Sequence, residues 1–169
     1  MRESASTVDF EIRTDSLTTR IGLAASLTED IEEVHEDLMY LLPMVYHLNG
    51  SVRGKLAISE EDVNRLSDMY DFYVAEVKDE IEKFVLPQGK TAACVLHTCR
   101  SEAKKSVRAL HQVSLEQEVP KILFDYTHLL ANVLFVMAVY VNKCYGIKEI
   151  EFVSQSYPVR KRKSKKVES

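Results

Sequence analysis

No tryptophan occurs in the 169 residues, and glycine and proline are scarce at five and four. So few turn-forming residues argue against an all-β architecture of short strands and frequent turns. There is no long unbroken apolar run either. The longest, 129–141, is interrupted by Asn132 and falls short of the roughly 20 residues that span a bilayer, so it reads as a buried core helix. Cys94, Cys99 and Cys144 form no Cys-x-x-Cys pair and no zinc spacing. An odd count within helical segments predicts reduced, buried thiols in a cytosolic protein. The five histidines, His35, His47, His97, His111 and His128, fall into no metal-ligand run, so no metal centre is expected. Arg2-Glu3-Ser4-Ala5-Ser6 offers no apolar leader after Met1, which points to the cytoplasm.

What is present is charge, unevenly placed. Residues 160–166 hold six basic side chains and no acid, leaving 16 Lys and Arg against 26 Asp and Glu, a body charge of −10. The tail has the phosphate-binding charge of a nucleic-acid ligand, but no aromatic interleaves it and the body is acidic. It reads as a solubilising terminus, and no nucleic-acid or membrane partner is expected.

The length suits one domain. Ser26-Leu27-Thr28-Glu29 has the form of a capping box ahead of an apolar stripe from Ile31 to Leu48, with Pro43 expected to kink that helix. Ser59 with Glu60, Glu61 and Asp62 caps a second helix whose stripe runs from Val63 to Phe84. A third is expected from about Thr91 to His111. The fourth, apolar nearly all round, starts near Pro120 and ends at Gly146. Glu149-Ile150-Glu151-Phe152-Val153 reads as a short extended piece. The division is a polar N-terminal segment (1–27), a helical domain (28–148) and a C-terminal extension with the basic tail (149–169). The fold class is all-α, an up-and-down bundle of four helices, or five if a short one precedes Thr28.

The third helix carries the chemistry. Arg100, Lys104 and Arg108 stand one turn apart and repel one another by a few tenths of a kcal/mol per pair, roughly, so they require an anion. A triphosphate, a phosphate backbone or carboxylates of a neighbouring helix would each serve.

Phe84-Val85-Leu86-Pro87-Gln88-Gly89, the small-residue helix start after it, Leu96-His97-x-x-Arg100-x-x-x-Lys104, and Leu134-Phe135-Val136-Met137-Ala138 together resemble the PduO-type ATP:cob(I)alamin adenosyltransferases over roughly 63–144. The resemblance implies a homotrimer with active sites between subunits. It implies transfer of the 5′-deoxyadenosyl group of ATP, with Mg²⁺, to a reduced corrinoid, cob(I)alamin, and a corrinoid-dependent enzyme as product acceptor. By position it makes Phe84 the aromatic that displaces the lower cobalt ligand. Arg100 becomes the interface arginine, with Glu36 or Asp37 as its acidic partner, and Lys104 the second phosphate cation. His128 and Asn132 take the places of an asparagine and an aspartate of the family, and Val107 that of a glutamate. The family's glycine-bearing nucleotide loop would fall at residues 13–20, which contain no glycine; Thr14, Asp15, Thr18 and Thr19 would there contact nucleotide or magnesium. The alternative is a catalytically inactive homologue that binds nucleotide or corrinoid, or regulates, through the same bundle.

Overall fold

A computed structural model describes residues 5–157; the basic run 160–166 lies outside them. The described chain forms five α-helices: α1 (Ala5–Ser26), α2 (Glu32–Gly50), α3 (Glu60–Glu76), α4 (Thr91–Ser114) and α5 (Lys121–Cys144). α1 packs against both α2 and α4, and α5 packs against both α4 and α3. The connections from α1 to α2 and from α4 to α5 are short, those on either side of α3 (51–59 and 77–90) are longer, and α3 packs mainly on α5, so the five helices form a bundle.

α1 corrects the expected polar N-terminal segment. Phe10, Thr14, Leu17, Thr18, Ile21, Ala24 and Ala25 form a buried stripe at helical spacing. Two members are threonines whose hydroxyls donate one turn back, Thr14 to the Phe10 carbonyl and Thr18 to the Thr14 carbonyl, each at 2.9 Å. Satisfied in this way, with the Thr14 hydroxyl also accepting from Asn49 Nδ2 at 2.6 Å, they are buried between the helices at little cost. Residues 13–20 are therefore helix and no loop. The expected capping box at Ser26 is also absent: the Ser26 and Thr28 hydroxyls donate to the Leu23 and Ala24 carbonyls and close α1, while Ile31 precedes α2 without a side-chain cap.

α2 runs continuously through Pro43, which is exposed. α3 starts as expected, with Ser59 and Asp62 each accepting from the other's backbone N–H. It stops at Glu76, eight residues before Phe84. Glu76, Asp79, Glu80 and Glu82 stand at the negative end of the helix dipole, and the chain there passes into a 3₁₀ turn (Glu80–Glu82) and then extends.

The extended piece after α5 is real and has a partner. Val85 and Glu151 form an antiparallel bridge, flanked by the Leu86 N–H donating to Ile150 O and the Phe152 N–H donating to Phe84 O, both at 2.8 Å. α5 is by length and composition apolar enough to cross a bilayer, but most of its apolar window is buried inside the bundle. Of the thiols, only Cys99 is fully buried, and burial pushes it up to about 12; Cys144 is exposed, contrary to the expectation of buried thiols.

Candidate active site

The turn between α3 and α4 is held by one buried amide. Asn142, near the end of α5, accepts from the Lys90 N–H (3.0 Å) and donates to the Gln88 carbonyl (2.8 Å) and to Glu149 (3.1 Å). Gly89 closes that turn with φ of 119°, and a Cβ built on it would lie 2.3 Å from Asn142 Oδ1. Only glycine meets both demands.

With the turn fixed, Phe84 stands at the rim of a cleft whose other walls are Arg100 and Lys104 of α4 and Asn132 and Phe135 of α5, with His97 beneath. Its volume is ≈ 460 Å³. Phe84 is 71% exposed, its one aromatic neighbour among the described residues being Phe152 at 5.7 Å between centroids. The Arg100 guanidinium lies 5.8 Å from the Phe135 ring centre, and its Nε is buried without a hydrogen-bond partner. Among the described residues neither Arg100 nor Lys104 has an ion-pair partner. Arg100, Lys104 and an exposed aromatic thus face one space, whose lining also holds Glu82 and Lys83; Lys83 is paired with Glu151, and neither Arg100 nor Lys104 is within ion-pair distance of a carboxylate among the described residues.

His97 is 5% exposed and neither ring nitrogen has a partner. Burial, helped by the neighbouring Arg100 charge, lowers its pKa from 6.5 to about 4, so the imidazole is neutral at physiological pH. The unfolded chain takes up a proton that the native state refuses. This contribution to stability is complete above pH 6.5 and is lost as pH falls toward 4, by up to about 3 kcal/mol. Urea unfolding at pH 7 and pH 5 should therefore show a drop in stability that is clearly smaller in His97→Gln; an equal drop in both proteins counts against this assignment.

The expected site residues are only partly brought together. Phe84, Arg100, Lys104 and Asn132 meet at the cleft. His128, one turn before Asn132, is outside it, exposed, its ring 6.3 Å from that of His111. Arg108 leaves the row as well and lines a separate groove with Asp9 and Arg13. Thr14 and Thr18 are buried in the core-facing stripe of α1 and are not among the residues lining the cleft. Thr19 is exposed and donates to the Asp15 carbonyl, while the Asp15 carboxylate accepts from Tyr46 Oη at 3.0 Å. Asp37 accepts the Tyr73 hydroxyl at 2.6 Å, and burial holds its carboxyl above the usual range. Asp37 is thus occupied within its own chain, whereas Glu36 is exposed.

Asn142 and Phe152 carry no signal of these roles in the sequence. Neither lies in a local motif, and their partners are tens of residues away. Among the described residues no group of three metal-ligating side chains occurs.

Comparison with known proteins follows the same lines. A family model for cobalamin adenosyltransferases matches residues 3–141. A corrinoid adenosyltransferase of Bacillus subtilis (strain 168) is 30% identical over 159 residues, covering 89% of this chain and 81% of that protein. A cobalamin adenosyltransferase of Cupriavidus metallidurans is 26% identical over 138 residues, covering 80% and 74%. Among solved structures, a PduO-type ATP:corrinoid adenosyltransferase from Lactobacillus reuteri, in a phenylalanine-to-alanine variant complexed with cobalamin and ATP, superposes with a TM-score of 0.81 at 18% identity, covering 91% of this chain and 90% of that one. An arginine-to-lysine variant from the same organism, complexed with ATP, has the same TM-score and identity.

Proposed function

The chain belongs to the cobalamin adenosyltransferase family, and from that membership we propose that it transfers the 5′-deoxyadenosyl group of ATP to a reduced corrinoid. The observation that carries the reading is the meeting of Phe84, Arg100 and Lys104 at one cleft. In this reaction the reduced cobalt of the substrate attacks the 5′ carbon and triphosphate leaves, so the protein needs no general base. Its work is alignment, charge neutralisation and exclusion of water.

Each residue has a task that fits its surroundings. Negative charge grows on the leaving triphosphate, and Arg100, unpartnered and half-buried, gains most when that charge arrives. Lys104 adds charge without the bidentate fork an arginine would offer. Phe84 has an exposed ring to cover with the apolar face of the corrinoid, which would stabilise the complex by about 2 kcal/mol and leave no room for a ligand beneath the cobalt. Phe152 supports that ring from behind. Asn132 is a polar contact on the opposite wall. Mg²⁺ would be held mainly by phosphate oxygens, as suits a chain with no ligand cluster among its described residues.

The assembly is read as a cytoplasmic homotrimer whose seams complete the sites. Arg100, without an ion-pair partner among the described residues of its own chain, would meet the exposed Glu36 of a neighbouring copy. Purified protein given ATP, Mg²⁺ and cob(I)alamin without oxygen should develop the light-sensitive spectrum of an alkyl-cobalt product. A persistent Co(I) spectrum would sink the proposal.

A further inference from the structure

A second groove opens between α1 and α4, of ≈ 440 Å³, sharing Pro87, His97 and Arg100 with the cleft. It adds Arg20 from α1, and Ser101, Glu102 and Lys105 from α4. Glu102 has a side chain only 5% exposed. Its Oε1 lies 3.1 Å from Lys105 Nζ and 3.7 Å from an Arg20 nitrogen, and its Oε2 is buried without a partner. Against this one carboxylate stand three cations, so the groove keeps a positive surplus. The Arg20 contact is longer than a hydrogen bond, and its Nε donates to Ser16 Oγ only at 3.5 Å, which leaves the terminal guanidinium donors able to turn to a stronger acceptor.

A triphosphate carries more charge than Arg100 and Lys104 neutralise, and residues 13–20, being helical, supply no loop amides to it. Arg100 belongs to both hollows, so a chain of phosphates anchored there has a continuous basic path out of the cleft. We propose that the α1/α4 groove is a polyphosphate subsite, in which Arg20 and Lys105 bind the outer phosphates of the nucleotide and of the departing triphosphate. This rests on the adenosyl-transfer reading for its ligand, but neither residue was assigned by that reading.

Inorganic tripolyphosphate is a suitable probe because it lacks the nucleoside. Titrated calorimetrically into the full chain, it should bind, more weakly as salt rises. Arg20→Ala and Lys105→Ala should each weaken it by about tenfold, the worth of one charge-assisted hydrogen bond, with Arg20→Lys recovering part of the loss. Lys105→Ala leaves Glu102 with Arg20 and so serves even where Arg20→Ala fails to fold. Absence of binding to wild type, or affinities unmoved by both alanine variants, overturns the subsite. Adenosyl transfer assayed in parallel separates the two readings: an active wild type whose tripolyphosphate affinity ignores Arg20 and Lys105 removes the groove alone, and an inactive one removes the reaction.

Discussion

Arg100→Ala should lower adenosyl transfer at least about tenfold, a loss of roughly 1.4 kcal/mol of transition-state stabilisation. Within its own chain Nε is buried and unpaired, so the guanidinium does little for the folding of one chain; its interactions are with what enters the cleft and, in the proposed trimer, with Glu36 of a neighbouring copy. kcat should therefore fall, with a loss of melting temperature no larger than that of one exposed ion pair. Arg100→Lys should fall between the two, keeping charge without the planar fork. Steady-state formation of the alkyl-cobalt product at saturating ATP measures the effect, and wild-type turnover in the alanine variant would remove Arg100 from the site.

Gly89→Ala should be the most damaging single-methyl change in the chain. The new Cβ would overlap the Asn142 amide and require a residue with a side chain to hold φ at 119°. Strain and steric overlap each cost about 1–3 kcal/mol, and relief by moving Asn142 would break its bonds to Lys90 and Gln88. A loss of at least about 3 kcal/mol in urea unfolding is expected, with a raised KM for corrinoid because Phe84 rides on the same turn. Alanine tolerated at wild-type stability would show that the turn has room it is not seen to have.

Much of this was legible beforehand, for identifiable reasons. α2 to α5 announce themselves through apolar residues at helical spacing, and Ser59 with Asp62 is a capping signal that the folded chain uses. In the sequence α1 reads as a polar lead because Thr14 and Thr18 occupy core positions. Sequence shows their hydroxyls but not that the preceding turn accepts them. Their standing as nucleotide contacts came from the resemblance, which placed the family's nucleotide loop at residues 13–20, where the chain is helical. Phe84 fitted a helical stripe by spacing alone, yet α3 ends earlier and leaves the ring at a rim. Arg100 and Lys104 were visible as a pair one turn apart, and they do share a cleft. Arg108, a further turn along, has passed beyond it, which the row by itself did not reveal. Asn142 was invisible because its importance comes from a backbone 54 residues distant.

That single amide also has a bearing on motion. It touches the turn before α4 and the segment after α5, and those two are stitched to each other by the bridge at Val85 and Glu151. Three segments that share their fastenings open together or not at all. Breathing of this wall should then be a rare, concerted event, so a bulky substrate would enter past a stiff lip rather than through a succession of small, independent yieldings.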